Sequence, residues 1–113
     1  MKLSAQYVSA DEAADIFQVI FAKNRDSDKD YLLIQRQFEL PDDNRCYYED
    51  GNNFENTGHY YVKKAFLRRN SLSIEIYRRE DNKIFIEFQL SDHKFKRVRK
   101  FLQILIPNLE IVP

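Results

Sequence analysis

The chain has no tryptophan, one cysteine, one methionine, two glycines and three prolines among its 113 residues, and each scarcity excludes something. The lone Cys46 rules out an internal disulfide and any paired-cysteine zinc or redox motif, so a reducing cytoplasm is the expected setting. Only His59 and His93 join it as nitrogen or sulfur ligands, too few for a transition-metal centre without carboxylates. No metal or cofactor site is expected. No apolar run approaches the roughly 18 residues that cross a bilayer, and the opening MKLSAQYVSADEAADIF lacks the apolar core of a signal peptide, so no membrane is expected either. Two glycines are few for a protein of many tight turns, and longer polar loops must do much of the turning.

What is abundant is aromatic: nine Phe and seven Tyr, which suit half-buried pleated surfaces and lean the chain toward sheet. With 43% apolar and 32% charged residues it has the composition of a globular protein, and its length fits one domain over 1–113. Net charge is zero but unevenly spread. Residues 1–50 hold 11 acids and 6 bases, residues 51–113 hold 7 acids and 12 bases. Such a dipole steers a charged partner toward one side, and it also serves plain solvation.

Periodicity gives the elements. KLSAQYV alternates as a first strand, ADEAAD reads as an acidic connector, and IFQVIFA, apolar on both parities, as a central strand or a short buried helix, with Ile, Val and Phe favouring strand. In YLLIQRQFE, Leu32, Ile34 and Phe38 share one parity, with Arg36 the exception on that face. PDDN at Pro41 to Asn44 is a turn signal, and RCYYE a short strand. HYYVKKAFL places Tyr60, Val62 and Phe66 on one parity. SLSIEIY and KIFIEFQL form an antiparallel hairpin from about Ser71 to Leu90, joined by RREDN. From Ser91, a candidate N-cap, Phe95, Val98, Leu102 and Leu105 recur at helical spacing among Lys94, Lys96, Arg97, Arg99 and Lys100, and the helix stops ahead of Pro107. LEIV closes the chain as a short strand or a docked tail. The predicted class is α+β: a mainly antiparallel, twisted sheet of about five to seven strands with one C-terminal amphipathic helix, Ser91 to Ile106, packed on one face.

Candidate chemistry is sparse. Both glycines frame DGNNFENTG, Asp50 to Gly58, but the spacing fits neither the phosphate-cradling GxxxxGK[ST] nor a calcium loop with glycine sixth and glutamate twelfth. It reads as a long inter-strand loop whose Asn and Gly supply positive φ, with Phe54 at its middle either tucked onto the sheet or exposed as an anchor. Cys46 and His59 lie on strands joined by this loop, close enough in principle for a nucleophile and base, without any local signature; a structural thiol is the simpler reading. The basic helix, with Lys63, Lys64, Arg68, Arg69 and several tyrosines, raises nucleic-acid binding, against which stand the neutral total and the absence of an aromatic ribonucleoprotein motif.

One resemblance runs through the order of these segments. FAKNRDSDKDYLLIQRQFE, YYEDGNNFENTG, VKKAFLRRNSLSIEIY, KIFIEFQL and a terminal amphipathic helix are similar to the bacterial polymorphic-toxin immunity protein family numbered ten. The matching features are Phe21 and Ala22 before an acidic loop, Tyr31 to Arg36, Tyr47 to Glu49, and Arg69 to Ile76, within about residues 16–102. The chain departs from the family at Tyr60 and Tyr61, where paired glycines are usual, and at RREDN, where a helical insertion is. The resemblance implies a cytoplasmic, non-catalytic protein that binds a cognate toxin and blocks it in the producing cell, with a small nucleic-acid-binding accessory domain as the alternative. Aromatic and arginine anchors dominate such interfaces, which makes Tyr47, Phe54, Tyr60, Tyr61, Arg68 and Arg69 the candidate partner-binding residues.

Overall fold

Alternating apolar residues close into two sheets in the computed structural model, which describes residues 1–26, 28–38 and 44–113. The strands are β1 (Lys2–Ala5), β2 (Tyr7–Ala13), β3 (Ile16–Ala22), β4 (Tyr31–Gln37), β5 (Cys46–Asp50), β6 (Gly58–Tyr60), β7 (Val62–Arg68), β8 (Ser71–Ile76), β9 (Lys83–Phe88) and β10 (Leu109–Ile111), with helix α1 (Asp92–Leu105) before the last. Strands β2 to β6 form an antiparallel meander in chain order. The second sheet runs β1-β9-β8-β7-β10, antiparallel through its centre, with short β1 and β10 added in parallel at the edges. The α+β class, the mainly antiparallel pairing and the single C-terminal helix agree with the sequence pattern. The strands divide between two sheets of five, where periodicity pointed to one sheet of five to seven.

The division arises at two corners where a continuous extended segment changes phase. Leu3 and Ala5 are buried on odd positions, Val8 and Ala10 on even ones, and Gln6 between them donates its N–H to the Ala22 carbonyl at 3.0 Å. KLSAQYV therefore bends from one sheet into the other. At the second corner β6 runs through Tyr61 into β7, where a bulge between Val62 and Lys64 shifts the register. Ala65 and Leu67 then face inward and Phe66 outward. Strands that switch sheets at bulges are the usual way two sheets share a corner.

Inward residues of both sheets and the helix form one core cluster. At one end of the meander its inner face meets the second sheet, where Phe21 and Phe88 stack with ring centroids 5.8 Å apart. At the other end α1 covers it: Phe101 lies 5.8 Å from Phe17, and Val98, Leu102 and Leu105 are buried alongside. Each fully buried side chain of this size stabilises the fold by about 1.5–3 kcal/mol. The Ser91 Oγ accepts from the Lys94 N–H at 3.2 Å, capping the helix as its sequence position implies.

Arg36, the apolar-face exception, is buried near the end of β4. Its Nη1 donates to the Leu105 carbonyl at 3.1 Å and its Nη2 to Asn44 Oδ1 at 2.7 Å, while its guanidinium stands 4.8 Å from the Phe38 ring centre. A buried cation thus meets the carbonyl-rich C-terminal end of α1. One connection differs from the sequence pattern. The supposed acidic connector is mostly strand, since β2 continues through Ala13 and turns within Ala14 and Asp15, Ala14 at φ 54°. The turn at Pro41 to Asn44 lies outside the described residues except for Asn44, which adopts φ 67°. LEIV supplies β10, as one of its two readings held.

Candidate functional site

The Asp50 to Gly58 loop is built by its own polar side chains. Asp50 is buried; its Oδ1 accepts the N–H groups of Asn52 at 2.8 Å and Asn53 at 3.2 Å, and its own N–H donates to Thr57 Oγ1 at 3.2 Å. Asn53 Oδ1 accepts the Glu55 N–H at 3.2 Å and so starts a single 3-10 turn at Phe54–Asn56. The glycines do not supply positive φ here; that conformation falls to Ala14, Asp30, Asn44 and Asp81. Gly51 is instead demanded by close approach, because a Cβ at that position would sit 2.3 Å from the Tyr31 ring.

The loop is fastened to the second sheet through one carbonyl. The Asn56 oxygen accepts from Tyr60 Oη at 3.0 Å and from Arg78 Nη1 at 2.8 Å. Arg78 also donates from Nε to the Glu80 carbonyl at 2.8 Å and from Nη2 to the Asp81 carbonyl, and it lies 5.1 Å from the centre of the Tyr60 ring. Asn56 Nδ2 reaches Asp81 Oδ2 at 3.3 Å. Phe54, in the same turn as Asn56, is 64% exposed and Tyr77, next to Arg78, is 62% exposed; Tyr61, 46% exposed, accepts the Tyr77 N–H on its carbonyl at 2.9 Å. Phe54 is therefore presented to solvent on a loop whose neighbours are pinned, so the backbone beneath it would lose little freedom on docking.

The outer face of the meander adds a second set next to it. Glu49 accepts from Tyr31 Oη at 2.5 Å and from Tyr47 Oη at 3.0 Å, and Tyr47 packs against His59 with ring centroids 5.3 Å apart. The hydrogen bond to Glu49, then burial and the carboxylate charge, push the Tyr31 phenol up to about 12. Burial and the same carboxylate raise Tyr47 as well. Both hydroxyls stay protonated donors at neutral pH, which holds the Glu49 carboxylate in one orientation on the surface.

The corners sharpen the charge dipole. Residues 7–60, which contain the whole meander, hold 12 acids and 5 bases, and the remaining residues hold 6 acids and 13 bases. The β3–β4 loop lies beside the Phe54 loop, joined by the Asp30 N–H to Asn52 Oδ1 at 2.9 Å. That loop brings Lys23, Arg25 and Lys29 as well as Asp26, Asp28 and Asp30 to this end, so the acidic balance there rests on Glu49, Asp50 and Glu55.

Of the sequence-predicted residues, Phe54 and Tyr60 come together at the Asn56 hub, Tyr47 lies on the adjoining outer face, and Tyr61 lines a separate depression with Asn44, Leu105 and Pro107 near the end of α1. Tyr60 is half-buried against the core, which makes it a support more than a contact. Arg68 and Arg69 stand at the far end of β7, roughly 20 Å along the strand. Arg69 is engaged there with the start of α1, donating to the Leu90 carbonyl at 2.6 Å and Asp92 at 3.0 Å and stacking on Phe95 at 4.6 Å. Cys46 and His59 do not meet as nucleophile and base: β5 pairs Cys46 with Tyr60 and Tyr47 with His59, so the thiol faces the core and the imidazole solvent. Cys46 Sγ lies 2.8 Å from the Leu105 carbonyl. Burial holds the neighbouring Tyr48 phenol well above its usual range, and its hydroxyl has no hydrogen-bond partner among the described residues. No metal-binding group of three His, Cys, Asp or Glu occurs among the described residues, and no helix among them is long and apolar enough to cross a membrane.

Tyr77 and Arg78 were not among the predicted contacts. Tyr77 continues the outward parity of Ser71, Ser73 and Glu75, and an aromatic on so polar a face was a readable signal. Arg78 carried none, because its partners are backbone carbonyls from a distant loop. No protein-family model, curated protein or solved structure matches the chain.

Proposed function

We propose that this protein is a non-catalytic inhibitor of the immunity type, which captures a cognate toxin in the cytoplasm of the cell that makes it. The observation that carries the reading is Phe54, 64% exposed at the tip of a hydrogen-bonded loop that is fastened to both sheets. Tyr77, beside the Arg78 that holds the loop, adds a second exposed aromatic, and the oriented Glu49 carboxylate lies on the adjoining face. The net acidic charge of residues 7–60, 12 acids against 5 bases, favours a toxin with a basic contact surface and speeds its capture. Rigid anchors with complementary charge suit tight blocking without chemistry.

The test is co-expression with the toxic domain encoded by the neighbouring reading frame. Growth is expected to be restored by the wild-type protein, and a stable complex is expected to weaken roughly 30-fold in Phe54→Ala, as for a hot spot of about 2 kcal/mol. A neighbourhood of metabolic genes without a secreted toxin, or unrestored growth, would overturn it.

A second reading, binding of single-stranded nucleic acid, draws on the outer face of the second sheet. There half-buried Phe66 and Phe85 flank Ser73 in register, beside Lys64 and Lys83, over a depression of about 230 Å³. Glu75 is paired with both lysines in the register, which offsets their charge and ranks this reading second.

A further inference from the structure

At the opposite end of the meander from Phe54, a groove of about 540 Å³ opens between α1 and the β2–β3 hairpin. Its helix side is a row of cationic residues. Lys96 and Arg97 are adjacent and Lys100 follows them at four and three residues, so the three share one helical face, with His93 one turn before them. Its floor is apolar, from Phe17, Phe101 and Ile104.

Lys96 and Lys100 make no ion pair among the described residues, and neither does His93. Arg97 is held in place by its Nε, which donates to the Ala10 carbonyl at 2.9 Å, and by stacking 4.8 Å from the centre of the Phe101 ring. Its two Nη groups have no hydrogen-bond partner among the described residues. Glu12 is the single acid on the lining. Three obligate cations on α1, one of them positioned by its bond to β2, thus stand over an apolar floor.

We propose that this groove binds a nucleoside polyphosphate, with its phosphates along Lys96, Arg97 and Lys100 and its base on the Phe17 and Ile104 side. Linear charge is favoured over a single small anion because the cations form a row. A cavity of several hundred Å³ with an apolar floor and few convergent polar groups suits a ligand of nucleotide size. Guanidinium and ammonium groups recognise phosphate oxygens by charge-assisted hydrogen bonds. A long nucleic-acid strand is disfavoured, because past Lys100 the row continues into Ile104 without a cation.

The full chain is titrated calorimetrically with ATP, with inorganic tripolyphosphate and with an eight-nucleotide oligothymidylate at moderate salt. ATP is expected to bind, tripolyphosphate about tenfold more weakly for want of a base, and the oligonucleotide no better than tripolyphosphate. Lys96→Glu with Lys100→Glu is expected to abolish ATP binding while the thermal midpoint is kept, since both side chains are exposed, and Lys96→Arg is expected to retain it. Tighter binding of the oligonucleotide than of ATP, no ATP binding by the wild-type chain, or unchanged ATP affinity in the double variant would each overturn the assignment.

Discussion

The meander and the second sheet share one core yet present opposite charge, and they are assembled by different means. In the meander, loops are knitted by side chains: Asp50, Asn53 and Thr57 close the Phe54 loop, and tyrosines clamp Glu49. The second sheet takes its edges from parallel additions, β1 on β9 and β10 on β7, and it carries with α1 most of the cations. Folding depends on the apolar cluster that both sheets feed, whereas charge has been free to diverge on the two outer surfaces. The acidic side holds the proposed protein contact, and the cationic groove at its other end suits a different ligand.

The most severe way to break the comparison is through what the halves share. Leu102→Ala is expected to destabilise by about 2–5 kcal/mol, with amides of β3 and β8 losing exchange protection together in denaturant. Separate transitions for the two sheets would show that the core is divided. Gly51→Ala acts on the meander side alone and is expected to cost about 1–3 kcal/mol by driving a methyl into the Tyr31 ring. Gly58→Ala should cost less, because its nearest obstacle is the Tyr60 hydroxyl at 3.2 Å. A denaturant series that ranks them the other way contradicts the close-approach account.

Smaller effects separate the two ends of β7. Arg69→Ala should lower stability by about 1 kcal/mol, by removing a charge-assisted contact at the start of α1, and should leave toxin binding unchanged; Phe54→Ala should do the reverse, changing stability by less than about 0.5 kcal/mol. Equal effects on binding would merge the two ends into one interface. The finest probe is alkaline titration. With its folded pKa raised to about 12 against an ordinary 10.0, Tyr31 contributes stability that is fully present below pH 10 and lost as pH rises toward 12. Phenolate absorbance should show this late tyrosine, and Glu49→Gln should return it toward the ordinary range.

Much of the fold was legible because burial has a period. Ser71 to Leu90 reads as a hairpin from Leu72, Ile74 and Ile76 against Ile84, Ile86 and Phe88, and those residues are buried. Phe95, Val98, Leu102 and Leu105 show the helix in the same way. The candidate site was legible only in part. Phe54 stood out as an apolar residue in a polar loop, but whether it tucks inward depends on what surrounds the loop. Arg68 and Arg69 looked equivalent to Tyr60 and Tyr61 in composition, and β7 carries them to the opposite end.

By itself, then, the sequence determined the α+β class, the hairpin, the capped helix and the presence of an unevenly charged surface, since each follows from local periodicity and composition. Only the tertiary structure decided that the strands form two sheets, because phase changes at Gln6 and near Val62 acquire meaning only when the segments on either side find different partners. It also decided the exposure of Phe54 and the bonding of Arg78 to Asn56, a contact across 22 residues. Such contacts depend on which loops the core brings to the same end, and no local pattern encodes that.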